Sequence, residues 1–384
     1  VVIGDAVRET AAIAERLDAP VCSGYQHNDA FPGSHPLAVG PLGYNGSKAA
    51  MELIAKADVV LALGTRLNPF STLPGYGIDY WPKQAKIVQV DINPDRIGLT
   101  KPITVGICGD ARQVARQLLE QLTSEAGNAG REERKALIHQ TKSAWAQALT
   151  SLDHEDDDPG TTWNREAQAR DSDRMSPRQA WRAIQAGMPR DAIMSTDIGN
   201  NCAIGNAYPS FERSRKYLAP GMFGPCGYAF PSIVGAKIGQ PDTPVFGFAG
   251  DGAFGISMNE MTSIGRDEWP AITMVIFRNF QWGAEKRNSI LWYDNNFVGT
   301  ELDTKLSYAK IAEGCGFRGV RVETQRALTE AIQQAGEAQA EGITTFIEVM
   351  LNQELGEPFR RDAMKKPVVV AGIDRADMRP QRVA

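Results

Sequence analysis

No apolar run in this 384-residue sequence approaches the ~20 residues that a membrane-spanning helix needs, so no membrane partner is expected. The five cysteines, Cys22, Cys108, Cys202, Cys226 and Cys315, are scattered, odd in number and never spaced as CxxC. That excludes a disulfide framework and a cysteine zinc site, and fits reduced thiols in a cytoplasmic protein. The four histidines, at positions 27, 35, 139 and 154, have no metal-ligand spacing. Lys and Arg total 41 against 46 Asp and Glu, a formal net charge of −5, so the basic stripe of a nucleic-acid binder is missing and no nucleic-acid partner is expected. No GxGxxG follows the first strand-like stretch, which argues against a bound NAD or FAD. The chain opens on "VVIGDAVRET" without Met, so a piece of a longer protein is expected.

What is present is a regular alternation. "VVIG", "APVCSG", "DVVLALG", "KIVQVDI" and "ITVGI" read as strands, and helical stretches such as "AVRETAAIAERLD" and "GSKAAMELIAKA" separate them. Such alternation predicts a parallel sheet wrapped by helices, placed at residues 1–125. Residues 126–174 lose their apolar runs and read as a charged linker with one amphipathic helix. Its "HEDDDPG" reads as a solvated acidic turn, since no template spaces those carboxylates for a cation. A second α/β unit is placed at 175–355, opening at "MSPRQAWRAIQAGM" with Ser176 as N-cap and Pro177 in the first helical position, and a tail at 356–384 follows. The fold class expected is therefore α/β, with two doubly wound parallel-sheet domains joined by a charged linker.

The second unit carries the chemistry. "PVFGFAG" reads as a buried parallel strand ended by Asp251, and "AITMVIF" as another, followed by Arg278 and Asn279. Ligands of an open α/β sheet sit beyond the carboxyl ends of its strands, so these side chains, 28 positions apart, should meet at one rim. Three loops converge there: "TDIGNN" (196–201), "AGDGAFG" (249–255) and "RNFQWG" (278–283). Glycines allow close backbone approach, and the hard oxygens of Asp251 and Asn279 suit Mg²⁺ or Ca²⁺. Mg²⁺ keeps few protein ligands and shares the rest with phosphate oxygens, so a diphosphate held through a divalent cation is expected.

GDG followed by a helix, a strand and then Asn279 resembles the signature of the thiamine diphosphate-dependent pyruvate oxidase and acetolactate synthase superfamily. The family pattern ends in a pair of asparagines; here Arg278 stands in the first place and Asn279 in the second. The resemblance implies that Asp251 and Asn279 ligate Mg²⁺ by their side chains and Gln281 by its backbone carbonyl. It implies cofactor contacts from Asn200, Asn201, Gly250, Gly252, Ala253 and Gly283. "GMFGPCGYAFPSIVGA" is similar to the segment that grips the aminopyrimidine, implying a contact to its amino group from the Gly224 carbonyl and placing Cys226 under the thiazolium. Residues 1–125 resemble the family's central domain. The glutamate that activates the pyrimidine belongs to an N-terminal domain, and no glutamate here matches its motif.

Within the superfamily, "QWGAEKRNSILWYDNNFVGTEL" (281–302) and "ELGEPFRRDAMKKP" (354–367) are most similar to the sulfoacetaldehyde acetyltransferase branch. That branch implies conversion of sulfoacetaldehyde and phosphate to acetyl phosphate and sulfite, and a homodimer or homotetramer. Two small anions then need cations; Arg278, Lys286, Arg287, Arg360 and Arg361 are candidates, with at least one of Arg360 and Arg361 expected at the mouth of the site. Glu285 could pair with a neighbouring cation, and Trp282, Trp292 and Tyr293 could line a pocket. Two alternatives stand beside this: an acetolactate synthase-like carboligase or 2-oxo-acid decarboxylase, and a cofactor-binding fragment that turns nothing over alone.

Overall fold

The computed structural model describes residues 1–123, 129–151, 173–221, 223–266, 268–293 and 295–355. The acidic turn at 154–160 and the tail carrying Arg360 and Arg361 lie outside the described residues. Two α/β units are present, as the alternation predicts. In the first, β1 (Val21–Ser23) pairs in parallel with β2 (Ala38–Pro41), and β3 (Val59–Leu63), β4 (Lys86–Asp91) and β5 (Val105–Cys108) form a three-stranded parallel sheet. "VVIG" is not a strand: Asp5 N–H and Ala6 N–H fold back onto the carbonyls of Val2 and Val1, which makes the segment a turn. β2 carries no sequence signal of its own, because four residues ending in Gly-Pro show no readable period. The helix Arg131–Ser151 does more than link. Its Ile138 joins the core of the first unit, and Arg134 caps the end of the helix Val7–Leu17 through the carbonyls of Leu17 and Asp18.

The second unit holds β6 (Ile193–Thr196), β7 (Tyr217–Leu218), β8 (Val245–Gly250), β9 (Thr273–Arg278), β10 (Arg318–Val322) and β11 (Thr345–Met350). They form one parallel sheet in the order β10-β11-β9-β8-β6-β7. Every residue of β9 and β11 is buried, as in a parallel strand covered by helices on both faces. One face packs Trp181, Phe248 and Phe277 against the helices Pro177–Gly187 and Gln325–Ala338; the other packs Phe230, Phe254 and Phe346. The helix Pro177–Gly187 starts where its sequence says. Ser176 and Gln179 exchange side-chain-to-backbone hydrogen bonds in a capping box, and Pro177 occupies the first helical position. From β6 the chain runs outward to β7 and then returns to β8 on the other side, so the sheet has its switch point at β6 and β8.

The two units are joined through Asn206, which is fully buried. Its Oδ1 accepts from Gln26 N–H (3.0 Å), its Nδ2 donates to the Tyr44 carbonyl (3.1 Å), and its carbonyl accepts from Asn28 Nδ2 (2.8 Å). Asp29 Oδ2 adds bonds from the N–H groups of Lys216 and Tyr217 at the start of β7. These contacts place the loop 25–45 of the first unit against the switch-point side of the second. Trp181 stands beneath that junction, ring against Phe248 and Phe277, its Nε1 donating to the Asn201 carbonyl (2.7 Å). Truncation of Trp181 to Ala is expected to cost about 3–5 kcal/mol of unfolding free energy, read from the denaturant midpoint.

Candidate functional site

The loops after β6, β8 and β9 meet beyond the carboxyl ends of these neighbouring strands, at the switch point. β8 and β9 run in register, Gly250 beside Phe277, so Asp251 and Arg278 leave the sheet at the same level. Asp251 opens the helix Asp251–Ser257 and is almost completely buried. Its Oδ2 accepts from Phe280 N–H at 2.8 Å and from Arg278 Nη1 at 3.0 Å, and its Oδ1 accepts from Gly252 N–H at 3.0 Å. Its own carbonyl accepts from the Tyr308 hydroxyl at 2.9 Å. Burial raises the Asp251 carboxyl to about 6, with the Arg278 charge and these donors pulling the other way.

The loop after β9 is shaped by a backbone exception. Phe280 has φ 59°, in a left-handed conformation that a bulky residue adopts only when its surroundings impose it. That turn sends its N–H to Asp251 and leaves Asn279 buried beside it. The Gln281 side chain is engaged away from the rim, with Nε2 on the Gln353 carbonyl (3.0 Å) and Oε1 on Lys286 (3.1 Å). A ligand at this point would meet the Gln281 main chain. Trp282 lies over Gly252 so closely that a Cβ there would sit 2.9 Å from the indole. Gly283 packs on Asn200, whose Cβ would be 3.2 Å from an added one. Gly250, by contrast, faces open space within 4 Å. Ala253 is buried in the core of the second unit, which fixes the first turn of the helix Asp251–Ser257.

Asn200 and Asn201 begin the short helix Asn200–Ile204 and are both buried. Asn200 Nδ2 and Oδ1, and Asn201 Oδ1, have no hydrogen-bond partner among the described residues. Buried amide groups without partners are costly, and a polar ligand at the rim would satisfy them. The donor set here is hard oxygen from Asp251 and Asn279, with open space at Gly250 and unsatisfied amides at Asn200 and Asn201. That set fits a divalent cation carrying a diphosphate.

Asp197 is the residue that sequence reasoning passed over. It ends β6, is buried, and accepts from Ile198 N–H (2.8 Å), Gly227 N–H (3.0 Å) and Ala229 N–H (2.8 Å). Burial pushes its carboxyl upward, and the three N–H donors hold it down. It thereby ties the segment 223–228, with Gly224 (φ 63°) and Cys226, to the loop after β6. Its signal in the sequence is an acidic residue directly after a buried strand, the position that also marks Asp251. The Cys226 thiol is half-buried and raised by burial first, then by the charges of Asp197 and Glu285, so it stays a neutral thiol.

The cation candidates separate. Arg278 is not an anion site: its guanidinium is enclosed by Asp251 and Glu348 and by the Asp303 and Leu306 carbonyls, because β9 directs it under the rim. Lys286 is likewise committed, buried between Glu301 and Gln281. Arg287 is buried and donates to the Tyr44 hydroxyl of the first unit at 2.5 Å. Glu285 is exposed on the first turn of the helix Gly283–Trp292, and Tyr293 is exposed past its end; Trp292's side chain lies outside the described residues. Loss of the Asp197 carboxylate in Asp197→Ala should leave buried N–H groups without acceptors and cost on the order of 2 kcal/mol or more; the denaturant midpoint measures it.

Two family models match this chain. "Thiamine pyrophosphate enzyme, central domain" covers residues 1–118, and "Thiamine pyrophosphate enzyme, C-terminal TPP binding domain" covers residues 197–349. The chain is 80% identical over 382 residues to a protein of Rhizobium meliloti (strain 1021) named "Probable sulfoacetaldehyde acetyltransferase", covering 100% of this chain and 65% of that protein. It is 72% identical to the sulfoacetaldehyde acetyltransferase of Roseovarius nubinhibens, covering 100% of this chain and 64% of that protein. To the acetolactate synthase large subunit of Corynebacterium glutamicum it is 29% identical, covering 98% of this chain and 56% of that protein. The chain thus spans somewhat less than two thirds of the length of these relatives. With the three loops gathered at the switch point and both domain models matched in order, the chain belongs to the thiamine pyrophosphate enzymes, of which it carries the central and the C-terminal cofactor-binding domains.

Proposed function

We propose that the protein carrying this chain converts sulfoacetaldehyde and phosphate to acetyl phosphate and sulfite, using thiamine diphosphate and Mg²⁺. The observation that carries the reading is the side-by-side exit of Asp251 and of the loop that holds Asn279 from the carboxyl ends of β8 and β9, tied by the Phe280 N–H on Asp251, in a chain 80% identical to a relative named "Probable sulfoacetaldehyde acetyltransferase". Asp251 and Asn279 would hold the cation by side chain and Gln281 by its carbonyl, while Asn200 and Asn201 would satisfy the diphosphate. The Gly224 carbonyl and Cys226 would face the organic part of the cofactor. When bound, the cofactor supplies the electron sink that lets a bond next to the substrate carbonyl break. The residues of this chain would orient it and keep the site shaped: Trp282 against Gly252, Asp197 on the segment 223–228.

The two anionic reactants need cationic partners. Arg287, at the junction with Tyr44, is the described candidate, and Arg360 and Arg361 are candidates beyond the described residues. A guanidinium suits both sulfonate and phosphate, since its planar fork donates two hydrogen bonds at once. We further infer a homodimer or homotetramer. The helix Ala229–Gly239 is mostly apolar, with Lys237 its one charged residue, yet leaves Ile238 exposed, and Ile256 and Phe223 are exposed as well. The five cysteines are all free, which suits the cytoplasm.

The kinship to acetolactate synthase keeps one other reading in play, a carboligase or decarboxylase acting on a 2-oxo acid through the same cofactor residues. The assay that separates them uses this chain together with the remaining third of the length its relatives have, thiamine diphosphate and Mg²⁺. Sulfite released from sulfoacetaldehyde only when phosphate is present, with acetyl phosphate formed, is the expected result; carbon dioxide from pyruvate with no sulfite would replace it by the carboligase. In the same assay, and in a cofactor titration, Asp251→Ala should lower Mg²⁺-dependent cofactor binding by about 100-fold or more.

A further inference from the structure

The carboxylate of Asp251 is nearly used up before any metal arrives. An ionised carboxylate offers roughly four lone-pair directions, two on each oxygen. Oδ2 gives one to Phe280 N–H (2.8 Å) and one to Arg278 Nη1 (3.0 Å), and Oδ1 gives one to Gly252 N–H (3.0 Å). A single direction, on Oδ1, is left. We propose that Arg278 is a positioning residue that restricts Asp251 to ligation through one oxygen, and so makes the site select Mg²⁺ over Ca²⁺. The proposal rests on Asp251 being a metal ligand.

The selectivity follows from the two ions' coordination. Mg²⁺ demands near-octahedral geometry at about 2.0–2.1 Å and accepts a carboxylate through one oxygen. Ca²⁺ takes about six to eight oxygens at about 2.3–2.6 Å and readily takes both oxygens of one carboxylate. A site whose carboxylate cannot present its second oxygen forgoes part of what Ca²⁺ can gain and nothing that Mg²⁺ needs.

Arg278 is built to hold that position. Its Nε lies 3.7 Å from Glu348 Oε1, and its Nη2 donates to the carbonyls of Leu306 (3.2 Å) and Asp303. Its guanidinium carbon lies 4.2 Å from the centre of the Phe280 ring and 5.2 Å from that of Tyr308. Glu348 is itself fixed by the Ser307 hydroxyl (2.7 Å), and Tyr308 holds the Asp251 main chain. With three anchors besides Asp251, the guanidinium cannot swing aside to release Oδ2. An asparagine, which the family pattern has in this place, is too short to reach all of these partners.

The test is a metal titration of the 384-residue chain with thiamine diphosphate, using MgCl₂ and CaCl₂ separately, read by calorimetry and by the fluorescence of Trp282 and the other tryptophans. Arg278→Asn is expected to raise the ratio of Ca²⁺ to Mg²⁺ affinity by about tenfold. Should Arg278→Asn fail to fold, Arg278→Met fills the space with no donor for Oδ2, and carries the same test. If both affinities fall by one factor and the ratio stays, Arg278 is only structural and the proposal is overturned. If the unsubstituted chain shows no metal-dependent cofactor binding, the assignment of Asp251 as a ligand falls, and this proposal with it.

Discussion

A buried carboxylate at the end of a parallel strand organises the second domain. Asp251 gathers the N–H of Phe280, the N–H of its own successor and the guanidinium of Arg278, while its carbonyl takes the Tyr308 hydroxyl. Two neighbouring strands, the loop after β9 and the segment before β10 are thus bound to one residue. Removing a carboxylate from water is expensive, and a chain that keeps one there must surround it with donors. Here the donors come from the segments that form the rim, so satisfying the charge and assembling the site are one event.

The same logic recurs at β6. Asp197 leaves its strand as Asp251 leaves β8, and it binds the segment 223–228 through Gly227 and the following helix through Ala229. The two acids divide the labour, one shaping the loop after β9 and the other the segment with Gly224 and Cys226. Between them lie the amides of Asn200 and Asn201, buried and short of partners. A surface of this kind is complete only with a polar ligand in place.

The α/β alternation and the convergence of three loops were legible in the sequence because strand-end positions are set by topology and not by side-chain detail. β8 and β9 are long apolar runs, and a parallel sheet puts their carboxyl ends together wherever the helices go. The fate of the charged residues was less legible. Arg278 and Lys286 read as free cations because nothing local names Glu348, which lies 70 positions on in β11, or the folding-back of Glu301 onto Gln281. "VVIG" read as a strand because four apolar or small residues cannot show whether they will pair or turn. Asp197 was missed since its acceptor role depends on N–H groups about thirty residues away.

Asn206 has a consequence for the molecule as a whole. Both ends of its amide and its carbonyl are satisfied by the first domain, and it sits with no exposure to water. Sliding one domain over the other would break all three bonds together and strand their partners in a dry interface, so the junction has no graded hinge motion. It is closed or it is lost, and the two domains should therefore melt in a single cooperative transition, although each has its own sheet.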